Sequence, residues 1–192
     1  MSARSQGSIF FTEVEYLALV AVSERRFEFI QGEIFLVAGA SVRHIDISGD
    51  VFAALKTTLR GSGCHVYNND MSVRIEEPKS YVFPDLSIVC EPPIILDPDS
   101  MAQLLNPVLI LEILSPSTQQ YDLTEKREAY QAIASLKTLI FIAQQVPRVK
   151  VLERQSESSW LETIYTRDSL IPLPAIGASL AFSDICASVT FA

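Results

Sequence analysis

Hydrophobic positions along the chain change period several times, and each change marks an element. Thr12-Glu13-Val14-Glu15 has the form of a capping box, with Thr12 as N-cap and Glu15 reaching back to its amide, and predicts a short helix to about Val22. Phe27 to Val37 (FEFIQGEIFLV) reads as two short strands around a Gln31-Gly32 turn. Between Ser41 and Leu59, Ile45, Phe52, Leu55 and Leu59 fall near one face of a helix that Gly61 would end. His65–Tyr67 and Met71–Ile75 are strand-like, Glu77 to Ser80 is a turn, and Tyr81 to Val89 reads as one further strand. The proline-bearing stretch 91–107 is an irregular connection.

Val108 to Leu114 (VLILEIL) is a continuous apolar run broken only by Glu112, the pattern of a strand buried on both faces. Ser115-Pro116-Ser117-Thr118 stops it. A second strong helix is expected from Asp122 to Ala134, where Asp122 to Glu125 again resembles a capping box. Leu139–Ala143, Val149–Arg154 and Leu161–Thr166 complete the pattern as late strands. There is no repeat and no Gly/Ser linker. The order predicts one α/β (α+β) domain over residues 1–192, a mixed sheet with helices packed on it.

Composition narrows the class. With 192 residues, 48% of them hydrophobic, the chain suits one domain with its own core. No apolar run reaches the roughly 18 residues of a membrane span. Met1 to Ser8 is polar, without a signal-peptide core, so a soluble cytoplasmic protein is expected. Cys64, Cys90 and Cys186 are odd in number, far apart and outside any CxxC pair; they are expected to be reduced and buried. The formal charge of −8 argues against simple electrostatic attachment to DNA. Its distribution softens that argument. Residues 61–118 hold two basic and eight acidic side chains, whereas residues 119–154 hold six basic and four acidic.

Some of those acids stand where acids are costly. An unpaired buried carboxylate costs several kcal/mol, so Glu112 within VLILEIL must be neutralised, paired or metal-bound. A structural salt bridge is the plain alternative. Asp85 follows Pro84 at the entrance of the run Leu86-Ser87-Ile88-Val89 and is a similar oddity. The two lie 27 positions apart (112 − 85) and can meet if their strands pair. Two such carboxylates with open water positions suit Mg2+ or Mn2+, which lowers the pKa of a bound water and offsets charge on a phosphate. Lys126, early in the following helix, would reach the same phosphate if that helix folds back over the strand end. Otherwise it is a solvated lysine paired with Asp122. Glu28, in Arg26-Phe27-Glu28-Phe29-Ile30, is a further acid among apolar residues: a ligand, a base or an ion-pair partner. His44 and His65 read as surface or helix-packing residues.

Taken in order, Phe27-Glu28-Phe29-Ile30-Gln31-Gly32-Glu33, Arg43-His44, Phe83-Pro84-Asp85-Leu86-Ser87-Ile88-Val89, Pro107 through Glu112 to Thr118, and Asp122-x-x-x-Lys126-x-x-x-Tyr130 resemble the Uma-type restriction-endonuclease family. The resemblance runs from about Thr12 to Ile185. It implies the PD-(D/E)XK nuclease fold, with Asp85 and Glu112 as metal ligands helped by the Ile113 backbone carbonyl. That fold's usual lysine position is Leu114 here, and the family's replacement maps onto Lys126. Glu28 maps onto the family's early acid. Gln31 stands where the family usually has Asp, and Phe27 where it often has Tyr. The expected activity is Mg2+- or Mn2+-dependent cleavage of DNA by a homodimer, with Glu28, Asp85, Glu112 and Lys126 as catalytic residues. The rivals are a non-catalytic interaction module of the same fold, and hydrolysis of RNA or another phosphoester.

Overall fold

The computed structural model describes residues 10–37, 39–99 and 101–191; Met1 to Ser8, read above as a polar leader-free start, lies outside them. The elements, in chain order, begin with α1 (Glu13–Val22), the hairpin β1 (Phe27–Ile30) and β2 (Glu33–Leu36), and α2 (Val42–Thr58). There follow β3 (His65–Asn68), β4 (Ser72–Ile75), β5 (Ser80–Val82), β6 (Leu86–Val89), β7 (Ile95–Leu96), β8 (Gln103–Leu104) and β9 (Leu109–Leu114). A short α3 (Gln119–Tyr121) runs through one π-helical turn, Asp122–Lys126, into α4 (Arg127–Gln131). The chain ends in β10 (Thr138–Ala143), β11 (Arg148–Arg154), β12 (Trp160–Tyr165), β13 (Leu170–Leu173), β14 (Ala178–Ala181) and α5 (Phe182–Ile185).

A central six-stranded sheet has the order β12-β11-β10-β9-β6-β3, mixed because only β9 and β10 run parallel. A flanking six-stranded sheet has the order β2-β1-β5-β4-β8-β7. Alternation along β9 sends its side chains to opposite faces. Leu109, Leu111 and Ile113 pack with Ile47, Val51 and Leu55 of α2 and with the β13–β14 hairpin. Ile110 and Leu114 pack with Ala129 and Tyr130 of α4 and with Ile30, Val73 and Val82 of the flanking sheet. Both faces of β9 are therefore dry, as its unbroken apolar pattern requires, and Glu112 points to the α4 side.

The capping box at Thr12 forms, with reciprocal hydrogen bonds to Glu15. Gln31 and Gly32 take φ of 51° and 95°, the left-handed pair that a two-residue hairpin turn uses. Several other expectations are corrected. The run read as one strand from Tyr81 to Val89 is broken between β5 and β6, and the chain changes sheets there. Pro84 has no N–H to give a ladder, and the Phe83 N–H goes to the Glu28 carboxylate at 2.8 Å. The connection 91–107 contributes β7 and β8, too short to show a period. Ile45 is 58% exposed; the buried stripe of α2 is Ile47, Val51, Leu55 and Leu59.

Asp122 caps nothing. The helix starts three residues earlier, at Gln119, and the Asp122 carboxylate accepts from the Thr118 hydroxyl at 2.7 Å. The helix ends at Gln131 rather than Ala134. Cys64 and Cys90, expected as reduced thiols, form a disulfide. With His65 opposite Val89, antiparallel pairing places the two cysteines directly across from each other, Cα atoms 3.9 Å apart. A separation of 26 in sequence conceals that neighbourhood.

Candidate active site

The C-terminal end of β9 meets the N-terminal end of β6, and the expected residues gather there in a cavity of about 420 Å³. Asp85 stands at the crossover from the flanking to the central sheet. Its Oδ2 accepts the Ile113 N–H at 2.7 Å, and its own N–H lies 3.4 Å from Glu112 Oε2. Glu28 arrives from β1 of the other sheet, accepting from Phe83 N–H and, at 2.9 Å, from the Tyr121 hydroxyl. The Ser115–Thr118 turn, closed by hydroxyl contacts among Ser115, Ser117 and Thr118, reverses the chain. The helix then returns over the strand end.

Lys126 is buried, not solvated, and it does not pair with Asp122. Its Nζ lies 2.9 Å from Glu28 Oε1 and 2.9 Å from Glu112 Oε1. Asp122 and Lys126 open and close the π turn and are both buried; such turns recur at functional sites. Arg127 points away, with Nη1 3.5 Å from Glu162 on β12. Tyr130, one turn past Lys126, donates to Glu112 Oε1.

Four carboxylates, Glu28, Asp85, Glu112 and Asp122, line this cavity beside one lysine ammonium. Burial pushes the Glu112 carboxyl up to about 8; Lys126 opposes the rise, and Asp85, Asp122 and Glu28 add to it. Burial works against the Lys126 charge, but Glu112 and Glu28 outweigh it and hold its pKa well above that of a free lysine. The ammonium therefore stays charged and is shared among too many acids. Burial also lifts Asp122, against Lys126 and Thr118. Tyr130 is held well above its ordinary value, first by burial and then by Glu112, so its hydroxyl remains a donor.

His44 was not expected here. It sits in the first turn of α2, and its Nε2 is 3.2 Å from Asp85 Oδ2. Burial disfavours its charged form, but the hydrogen bond and charge of Asp85 outweigh that and raise its pKa. Tyr121 and Tyr130 were also unassigned. The four-residue spacing Asp122, Lys126, Tyr130 was the signal for Tyr130, placing it on one face of a helix without saying what that face met; Tyr121 lies outside that spacing.

The donors fit a hard divalent ion: magnesium is usually held by one or two carboxylates together with waters and substrate phosphates. Asp85 and Glu112 supply the pair, and the Glu112 oxygen turned toward Asp85 has only the long Asp85 N–H contact. Among the described residues no three His, Cys, Asp or Glu side chains already form a ligand cage. A second cavity, about 450 Å³ between Arg167 and Phe191, contains no comparable group of acids. No helix of the described residues is long and apolar enough to cross a membrane.

This arrangement, acids at the end of a mixed sheet with a lysine returning from the next helix, is that of a restriction-endonuclease-like fold. The model of the Uma2 family, described as "Putative restriction endonuclease", matches residues 14–183, and the chain belongs to that family. Two Synechocystis proteins, both described as uncharacterized, are similar to it. Protein slr1290 is 27% identical over 177 residues (92% of each chain), and sll1609 is 33% identical over 152 residues (79% of this chain, 85% of the other). Among solved structures, a "putative nuclease belonging to DUF820" from Anabaena variabilis superposes with a TM-score of 0.68 at 18% identity, covering 85% of this chain and 90% of that one. At that identity the likeness speaks for the fold.

Proposed function

We propose that the protein is a divalent-metal-dependent endonuclease that hydrolyses DNA phosphodiester bonds. The observation that carries this reading is the gathering of acids in the cavity: Glu28, Asp85, Glu112 and Asp122 line it with Lys126 and with Arg26, itself paired with Asp70, and Glu112 is lifted to about 8. An acid cluster of that kind favours a second cation. Asp85, Glu112 and the Ile113 backbone carbonyl would hold Mg2+ or Mn2+. When bound, the ion lowers the pKa of its water and offsets charge on the phosphate. Lys126, already inside the cluster, stands ready to stabilise the charge that builds on the phosphoryl oxygens. Glu28 and Tyr121 orient that ammonium, and Glu28 is the group placed to take part in proton transfer. Tyr130 holds one oxygen of Glu112 and leaves the other toward Asp85.

The deciding assay is nicking of supercoiled plasmid with Mg2+ or Mn2+, comparing wild type with Glu112→Ala. Metal-dependent nicking by wild type alone supports the reading. Nicking equal in both, or absent from both, overturns it. One observation favours the non-catalytic alternative: Lys126 already pairs with two of the acids, so the cluster is partly satisfied. We also propose a homodimer, since cutting both strands of a duplex with one site per chain takes two chains or two visits. We assign it to the late strands from Val149 onward, where β12 is a free edge of the central sheet. Light scattering that reports a monomer at working concentration would exclude that assembly.

A further inference from the structure

We infer that His44 is a nitrogen ligand of the divalent ion, sharing it with Asp85, and that it biases the site toward transition ions such as Mn2+ over Mg2+ and Ca2+. This rests on the metal-dependent reading above and goes beyond it, since that reading uses oxygen donors alone.

The first support is where the imidazole is and what holds it there. His44 belongs to the first turn of α2, whose N-cap Ser41 accepts the His44 N–H at 3.2 Å. The Ser41 hydroxyl also bonds the Gln144 side chain at 3.1 Å, and the Arg43 guanidinium donates to the Gln144 backbone carbonyl. Gln144 directly follows β10, the parallel neighbour of β9. The start of α2 is thus fastened to the end of the central sheet by contacts that do not involve the His44 ring. The ring is delivered to Asp85, and its side chain and that of Asp85 are 16% and 12% exposed, both on the wall of the cavity.

The second support is spacing. Nε2 and Asp85 Oδ2 are 3.2 Å apart. Adjacent donors around an octahedral ion with bonds of about 2.1 Å lie roughly 3 Å apart, the bond length times √2. The two atoms are therefore spaced as neighbouring donors on one octahedral ion. The Asp85 carboxylate is itself held by the Ile113 N–H, so its direction is set independently of His44. The Glu112 oxygen not taken by Lys126 and Tyr130 lies on the Asp85 side, 3.4 Å from the Asp85 N–H.

The third support is ligand chemistry. Imidazole nitrogen suits transition ions, whereas magnesium and calcium select oxygen.

The test uses the intact protein loaded with Mn2+ and read by pulsed electron paramagnetic resonance. Wild type should show nitrogen-14 coupling to the bound ion. Labelling histidine with nitrogen-15 should convert that signal, and His65→Gln should leave it, because the other histidine is exposed on β3. His44→Gln should abolish the coupling and weaken Mn2+ binding about 10- to 100-fold, with a smaller loss for Mg2+. If His44→Gln does not fold, labelled wild type and His65→Gln still decide the matter. Mn2+ bound in an Asp85-dependent manner with no nitrogen coupling overturns the His44 assignment and leaves the metal site standing. Mn2+ that does not bind, or binds equally to Asp85→Asn, overturns the metal-dependent reading, and the assignment falls with it.

Discussion

Glu13 and Glu112 have nearly the same partners and opposite behaviour. Each accepts a tyrosine hydroxyl, Tyr81 for Glu13 and Tyr130 for Glu112, and each pairs with a lysine, Lys79 and Lys126. Yet hydrogen bonds from Lys79 and Tyr81 hold Glu13 below the usual carboxylate range, while burial drives Glu112 up to about 8. Two differences account for this. Glu13 is 22% exposed and has a second cation, Arg74, at 3.6 Å; Glu112 is 5% exposed and shares its one lysine with Glu28. The first cluster is balanced and hydrated, and fastens α1 to β4 and β5. The second is buried beside a cavity whose acids outnumber its cations. The same three residue types make a hydrated clamp in one place and a buried acid cluster in the other.

The comparison is most exposed to the two lysines. Lys126→Ala removes the sole ammonium from a buried cluster and should destabilise the metal-free protein by about 3–5 kcal/mol in denaturant unfolding, as for a broken buried pair. It should also cut cleavage on the order of a hundredfold or more. Lys79→Ala should cost no more than about 1 kcal/mol. Equal losses would show that burial does not separate the clusters.

Next in size is the response to metal. Saturating Mn2+ should raise the stability of wild type by about 2.7 kcal/mol at a hundredfold excess over Kd, through linkage. Glu112→Gln and Asp85→Asn should each lose that rise in thermal melts, while Glu13→Gln should keep it.

The pH dependences should have opposite signs. The native Glu112 pKa is raised, so the folded state holds its proton more tightly, and its contribution fades as pH climbs from about 4.5 to about 8. The native Glu13 pKa is lowered, so its contribution is present above the ordinary carboxylate value and is lost as pH falls through the native one. Metal-free melting curves should therefore show an alkaline decline that Glu112→Gln flattens and an acid decline that Glu13→Gln flattens. Slopes of the same sign would break the contrast. The smallest effect belongs to Arg127→Ala, within about 1 kcal/mol, because its exposed partner Glu162 keeps Lys150 at 2.9 Å.

Much of this was legible in the residues. An acid inside VLILEIL marks itself by its cost, the 3.6 period locates α2, and unbroken or alternating apolar runs locate β9, β10 and β11 closely. What stayed hidden depends on contacts between distant segments. His44 has no neighbour in sequence that reveals Asp85, and Cys64 finds Cys90 only through strand pairing. The break at Pro84 lies inside a run whose apolar pattern continues across it, so only the change of sheet exposes it. The π turn escapes because a helical pattern read at 3.6 residues per turn cannot register one locally wider winding.

That turn also bears on how the chain can change over generations. It holds one residue more than ordinary α winding needs, so losing any one of residues 122–126 would let the helix relax into a regular and locally sturdier form. Because the wider turn absorbs the extra residue, such a loss would leave α4, and Tyr130 with it, facing the strand end. Only a deletion that took Asp122 or Lys126 itself would remove a member of the cluster, so the turn tolerates the loss of Leu123, Thr124 or Glu125 and not of the ammonium beside them.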